Sequence, residues 1–175
     1  MHAINEIEEI ENSFLIEELK DTSKALQYLP YLQKMPTVEV ADILSELEND
    51  IMLEIFKMFS YEQQAWIFTD LYNEQQEFLF ENVERREFAK ILENMNSAER
   101  ADFFQELAKE SQILLLPFLN KAVRDDVIHL SSYPPETAGG IMSSDFATIY
   151  SSMTVQEALQ KIRKDSPSQK MIYYC

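Results

Sequence analysis

The sequence predicts an all-α fold. The expected architecture is a right-handed superhelix (an α-solenoid) of short helices with a 12/24-residue repeat, followed by the start of a small α/β unit. Three observations carry this. An apolar pair with a third apolar residue after it recurs every 12 residues from Ile43 to Val127. No glycine occurs before Gly139 in the 175-residue chain. Residues able to cap a helix recur at one phase of the repeat.

Residues 1–34 come first. Ile4, Ile7, Ile10, Phe14 and Leu15 recur at three- and four-residue steps among six glutamates, Glu6 to Glu18. That spacing makes one stripe on an acidic amphipathic helix, expected to dock within the chain. A second helical stretch, Lys24 to Leu32, is expected to break at Pro30.

From Met35 the repeat takes over. The sets are Ile43-Leu44 with Leu47, Ile55-Phe56 with Phe59, Ile67-Phe68 with Leu71, and Leu79-Phe80 with Val83. Ile91-Leu92 with Met95, Phe103-Phe104 with Leu107, and Leu115-Leu116 with Leu119 continue it, and Val127-Ile128 ends on Ser131. At about 100° per residue, 12 residues turn a helix about 120° past a whole number of turns. One continuous helix would wind this stripe around its surface, so each unit must be a helix of roughly nine residues plus a turn. Thr37, Asn49, Asn73 and Ser97 are the expected caps, Ser60 with Gln63 has capping-box spacing, and the phase slips at Arg85, Lys109 and Lys121. Two units form a 24-residue hairpin, and hairpins must stack to bury their apolar faces. The hand is taken from known helical-repeat folds. Phe56, Phe59, Trp66, Phe68, Phe80, Phe103 and Phe104 are read as core.

Tyr133 to Met142 holds both glycines, Gly139 and Gly140, and two of the six prolines. Such a cluster reads as a junction. Residues 1–132 are then the helical domain, 133–145 the junction, and 146–175 an incomplete second module. In that module Phe146 to Tyr150 reads as extended. Thr154 with Glu157 forms a capping box ahead of a helix striped by Val155, Leu159 and Ile162, and Met171 to Tyr174 reads as a strand. A strand, a helix and a strand do not close a domain.

Charge narrows the function. Thirty-one acids face fifteen bases, a formal net charge of -16. Such a chain repels phosphate backbones and anionic membrane surfaces. It suits a basic partner or hard cations, since Mg²⁺ and Ca²⁺ prefer carboxylate oxygens. No apolar run approaches the roughly 20 residues of a membrane helix. No secretion signal is visible and Cys175 is the only cysteine, which points to the cytosol. Two glycines, both in the junction, exclude a Gly-rich phosphate loop. His129 lies near Asp125 and Asp126, a pattern that fits a metal or acid–base site but is commoner as a helix-end histidine. His2 stands alone near the start. No cleft is marked, so an enzyme is not expected, and a two-carboxylate hydrolase is the remotest reading.

The residues resemble the MgtE family of magnesium channels. The junction is similar to that family's Tyr-Pro-x-x-Thr/Glu-Ala-Gly-Gly-Leu-Met segment, with Ser143-Ser144-Asp145-Phe146 where Thr-Pro-Glu-Phe/Tyr is usual. Met153 to Leu159 is similar to the opening helix of its first cystathionine-β-synthase (CBS) module, and Ile172-Tyr173-Tyr174 to the next strand. The resemblance implies a cytosolic regulatory domain ahead of paired CBS modules, a plug helix and a transmembrane pore, dimeric in the full-length protein. It implies Mg²⁺, with Ca²⁺ or Mn²⁺ as substitutes, holding acidic domains together and closing the pore. It also implies metal ligands. The family's Asp-Asp-x-Ala-Asp segment corresponds to Ala98-Glu99-Arg100-Ala101-Asp102, so Asp102 is the first candidate and Glu99 the second. Three residues apart on a helix, they share a face. An ordinary exposed acid beside Arg100 is the plainer reading of each. The flagellar switch protein FliG carries similar helical units, which leaves a scaffold module binding a protein partner, without an ion role, as the alternative.

Overall fold

A computed structural model describes residues 12–146 and 148–165. The stripe residues Ile4, Ile7 and Ile10 and the expected strand at Met171 to Tyr174 lie outside them. Every regular element among the described residues is helical. Helix α1 covers residues 12–19. It is followed by α2 (Thr22–Leu32), α3 (Thr37–Ser45), α4 (Asn49–Phe56), α5 (Tyr61–Asp70), α6 (Asn73–Asn82) and α7 (Arg85–Asn94). Then come α8 (Ser97–Glu106), α9 (Lys109–Leu115) with a 3₁₀ turn at Leu116–Phe118, α10 (Lys121–Leu130) and α11 (Val155–Asp165).

The chain divides into two compact units, one ending at Met95 and the other starting at Asn96. Within the first, α2 packs on α4, α4 on α6, α3 on α5 and α5 on α7. Neighbouring helices thus alternate between two rows, as stacked hairpins require. Within the second, α8 packs on α10 in the same pattern.

The 12-residue repeat supplies most of the core, with Ile128 of the last pair exposed instead. Ile43, Leu44, Ile55, Phe56, Ile67, Phe68, Leu79, Phe80, Ile91, Leu92, Phe103, Phe104, Leu115 and Val127 are all buried. The third positions Leu47, Phe59, Leu71, Val83, Met95 and Leu119 close the turns and are buried too. Phe88 adds an aromatic centre to the first unit, edge-on to Phe68 at 5.3 Å and to Phe80 at 5.1 Å.

The helix starts correct the expected caps. The N-caps are Pro36, Glu48, Ser60, Tyr72, Glu84, Asn96, Ala108 and Asn120, one residue before the expected phase at Thr37, Asn49, Asn73 and Ser97. The 12-residue step is kept at Arg85, Lys109 and Lys121, where a slip was expected. Only Ser60, Asn96 and Asn120 of these eight cap through their side chains, and Ser60 with Gln63 forms the full capping box. Burial of the apolar pair sets the period, so a cap can be lost without moving the start.

Four other expectations change. Helix α2 runs through Pro30, which falls in its last turn beside the exposed Leu26, so only two more residues of helix have to follow it. In α1 it is Leu15 and Leu19 that are buried, while Phe14 is 58% exposed. Helix α1 therefore docks within its own unit, helped by Glu18, which accepts from Lys24 Nζ at 3.0 Å and Tyr28 Oη at 3.2 Å. Trp66 is 38% exposed rather than core. Helix α11 has its capping box, with Thr154 N donating to Glu157 Oε2 at 2.8 Å and Glu157 N to Thr154 Oγ1 at 3.3 Å. Yet its stripe residues Val155 and Leu159 are exposed.

The junction is a folded turn, not a tether. Thr137 N donates to Pro134 O, and Gly140 N and Ile141 N both donate to Thr137 O. Neither glycine has a positive φ, so backbone angle is not what demands them. Space is. A Cβ on Gly140 would sit 2.2 Å from Pro134 O, and one on Gly139 would sit 2.5 Å from the Tyr133 ring.

Candidate functional site

The junction leads directly to the start of α8, the helix that carries both candidate metal ligands. Asn96 caps α8 by accepting from Glu99 N at 2.9 Å. A second amide of the first turn, Ser97 N, donates to Asp145 Oδ2 at 2.6 Å. A carboxylate from 48 residues further along the chain thus sits at the positive end of a helix, where charge and hydrogen bonding both favour it.

Ser97 is fully buried, and its Oγ lies 3.0 Å from Ser143 Oγ while accepting from Ser144 N at 2.8 Å. Ser144 Oγ in turn donates to Asp126 Oδ1 of α10 at 2.7 Å. The other oxygen, Asp126 Oδ2, accepts from Arg100 Nη2 at 2.8 Å. The Arg100 side chain is 6% exposed and that of Asp126 is 23% exposed. Further back, Gln105 Nε2 donates to Tyr133 O at 3.3 Å. The segment Ser143-Ser144-Asp145 is therefore clasped to α8 and α10 through alternating hydroxyl, carboxylate and guanidinium groups.

Helix α8 buries one side and leaves the other open. Arg100, Ala101, Phe103 and Phe104 are buried, while Glu99 and Asp102 are exposed. The structure places both candidate ligands on the open side of one helix. Glu106, four residues past Asp102, is exposed as well and extends the acidic edge; the same spacing argument could have found it. Hard carboxylate oxygens in open water suit Mg²⁺. Among the described residues, however, no three His, Cys, Asp or Glu side chains come together to hold a metal ion. Glu99 and Asp102 thus offer two carboxylates on one exposed helix face, without a third such side chain beside them among the described residues.

Among the described residues His129 joins no group of three potential metal ligands. Its ring packs edge-on against Tyr133 at 5.3 Å, and both oxygens of Asp126 are engaged by Arg100 and Ser144. It stands in the last turn of α10, where a cation is favoured.

A second polar cluster ties α5 to α7. Tyr61 Oη donates to Glu87 Oε2, and Lys90 Nζ reaches Glu87 Oε1 at 2.9 Å and Tyr61 Oη at 3.1 Å. The Tyr61 hydrogen bond, with Lys90 beside it, holds the Glu87 carboxyl below the usual carboxylate range. The neighbouring open cavity, about 630 Å³, is lined by Lys57, Tyr61, Glu84 and Glu87 over Phe59 and Val83. These side chains satisfy one another, which reads as a tie between helices rather than a reactive group.

Comparison with known proteins places this geometry. The family model described as the MgtE intracellular N domain matches residues 35–136. The magnesium transporter MgtE of Thermus thermophilus is 32% identical over 77 residues, which is 42% of this chain and 17% of that protein. A crystal structure of the soluble part of a magnesium transporter superposes with a TM-score of 0.79 at 20% identity, covering 93% of this chain and 64% of that one. A crystal structure of the cytosolic domain of the Mg²⁺ channel MgtE in complex with ATP gives 0.76 at 23% identity, covering 90% and 66%. At such identities the two structures establish the fold. The chain spans only part of each of these relatives.

Proposed function

The chain belongs to the MgtE intracellular N domain family, and from that premise we propose that it is the cytosolic Mg²⁺-sensing regulatory part of a magnesium channel. The observation that carries this reading is the pairing of Glu99 and Asp102 on the exposed face of α8. Mg²⁺ would bind these two carboxylates together with acids from a facing domain, the CBS modules being the natural source. Ca²⁺ or Mn²⁺ would substitute as further oxygen-seeking ions. With the ion bound, two acidic surfaces stay together and the pore is closed. Without it they repel, since this chain alone carries a charge of -16. The switch is a population shift, because the ion binds the compact arrangement better than the separated one. The clasp at Ser143 to Asp145 holds the chain beyond the junction to the same helix. A scaffold module acting through protein contacts alone is the competing reading, and the lack of a complete three-ligand cluster among the described residues is what favours it.

Thermal unfolding during a Mg²⁺ titration at constant ionic strength tests whether this chain by itself holds the ion. Ligand at about a hundred times its Kd stabilises by roughly 2.7 kcal/mol, which raises the midpoint by about 5–10 °C for a chain this long. The expected result is a saturable rise that Asp102→Ala weakens. A flat response would remove a site held by this chain alone and leave two readings, a sensor completed by the facing domain or a scaffold module.

A further inference from the structure

We infer that Trp66, flanked by Glu62 and Asp70, forms a docking site for an arginine- or lysine-bearing segment of a partner polypeptide, in the first unit and apart from the ion site. The three residues follow at four-residue steps on α5, so they line one face, and all three are exposed. Trp66 is 38% exposed at a repeat position next to Ile67 and Phe68, which are fully buried. Beside it a small cavity of about 70 Å³ opens between α5 and the turn before α3, lined by Leu32, Val40, Phe59 and Ile67 with the polar Gln33 and Gln63 at its rim. Small-molecule pockets run to roughly 300–1,000 Å³, so the occupant here is a side chain, not a free ligand.

Charge names the kind of side chain. Helices α3 and α5 contain Glu39, Asp42, Glu62 and Asp70 and no Lys, Arg or His. Thr37, which lines the cavity, donates through Oγ1 to Asp70 Oδ2 at 2.9 Å and ties that acid to the start of α3. A cation over the indole face, with a carboxylate one turn to either side, gains from cation–π attraction and from both charges. Its aliphatic stem would enter the cavity along the apolar lining. Tryptophan is also among the residues enriched at interface hot spots. Mg²⁺, which seeks oxygen ligands, has no use for the indole.

The chain's only tryptophan reports directly on the site. Acetylated, amidated octa-arginine is titrated at physiological salt and followed by Trp66 emission, with calorimetry for variants that lack the indole. A saturable emission change is expected. Trp66→Ala and the pair Glu62→Gln/Asp70→Asn should each weaken binding about tenfold. The pair Glu110→Gln/Glu136→Gln removes the same charge from exposed positions elsewhere and should leave binding nearly unchanged. Trp66→Phe keeps apolar volume and should give an intermediate loss, which guards against a folding defect in Trp66→Ala. Absence of saturable binding would overturn the assignment. So would an undiminished affinity in Trp66→Ala, or an equal loss in the Glu110/Glu136 control.

Discussion

Replacing Phe88 by alanine is expected to destabilise the first unit by about 4 kcal/mol. Phe88 is fully buried and makes edge-to-face contacts with Phe68 and Phe80, so it links α7 to α5 and α6. Truncation loses the transfer energy of the ring, leaves a cavity that stacked helices close only in part, and removes two aromatic pairs. Phe88→Leu keeps most of the volume and should cost less than half as much. Urea unfolding followed by hydrogen exchange checks both size and place. Protection should fall first in α5, α6 and α7. A loss under about 1 kcal/mol would mean that Phe88 is peripheral to the packing.

Arg100→Ala is expected to cost about 3 kcal/mol, a fall of roughly 6–12 °C in midpoint. The guanidinium is almost wholly buried and bonded to Asp126. Removing it leaves a carboxylate in a partly dry site, with Ser144 Oγ as its remaining donor of those described above. Because Asp126 keeps some solvent, the lower end of the range for a broken buried pair applies. The double change Arg100→Met/Asp126→Leu should recover a good part of the loss, since an apolar pair there needs no charge compensation. The clasp gives a second readout. Arg100→Ala should speed exchange of the Ser97 and Ser144 amides, which depend on the same network. A drop under 1 kcal/mol with unchanged exchange would class the pair with ordinary surface salt bridges.

Which of these features could be read from the sequence follows from how local they are. The repeat was legible because burial recurs at Ile43, Ile55, Ile67, Leu79 and Ile91, and a 12-residue step allows few folds. The Ser60 and Thr154 boxes were legible because each closes within four residues. Positions shared by packing and capping were not. Propensity favoured Asn49 and Asn73 as caps, yet Glu48 and Tyr72 hold the position because the buried pairs fix the start of each helix. Trp66 looked like core because its neighbours are; only the neighbouring turn shows that its side chain lies at the rim. The junction showed as a break, but the reason for its glycines is close approach, of Pro134 O at Gly140 and of the Tyr133 ring at Gly139, that no local pattern announces. The clasp was invisible for the same reason. Ser97 and Asp145 are 48 residues apart, and nothing local to Arg100 marks it as a buried partner of Asp126. At the candidate site, the shared face of Glu99 and Asp102 follows from helical spacing, whereas any facing ligands depend on chain outside the described residues.

We propose above that carboxylates on α8 report Mg²⁺ to a pore. The most direct test is ion flux through a full-length channel carrying this domain, in liposomes, as Mg²⁺ on the domain's side is raised. With the native sequence, flux should fall as Mg²⁺ saturates the site. With Glu99→Gln/Asp102→Ala the same closure should need about tenfold more Mg²⁺, the equivalent of roughly 1.4 kcal/mol of lost ion binding, while flux at low Mg²⁺ is unchanged. An inhibition curve that does not move would contradict a sensing role for α8.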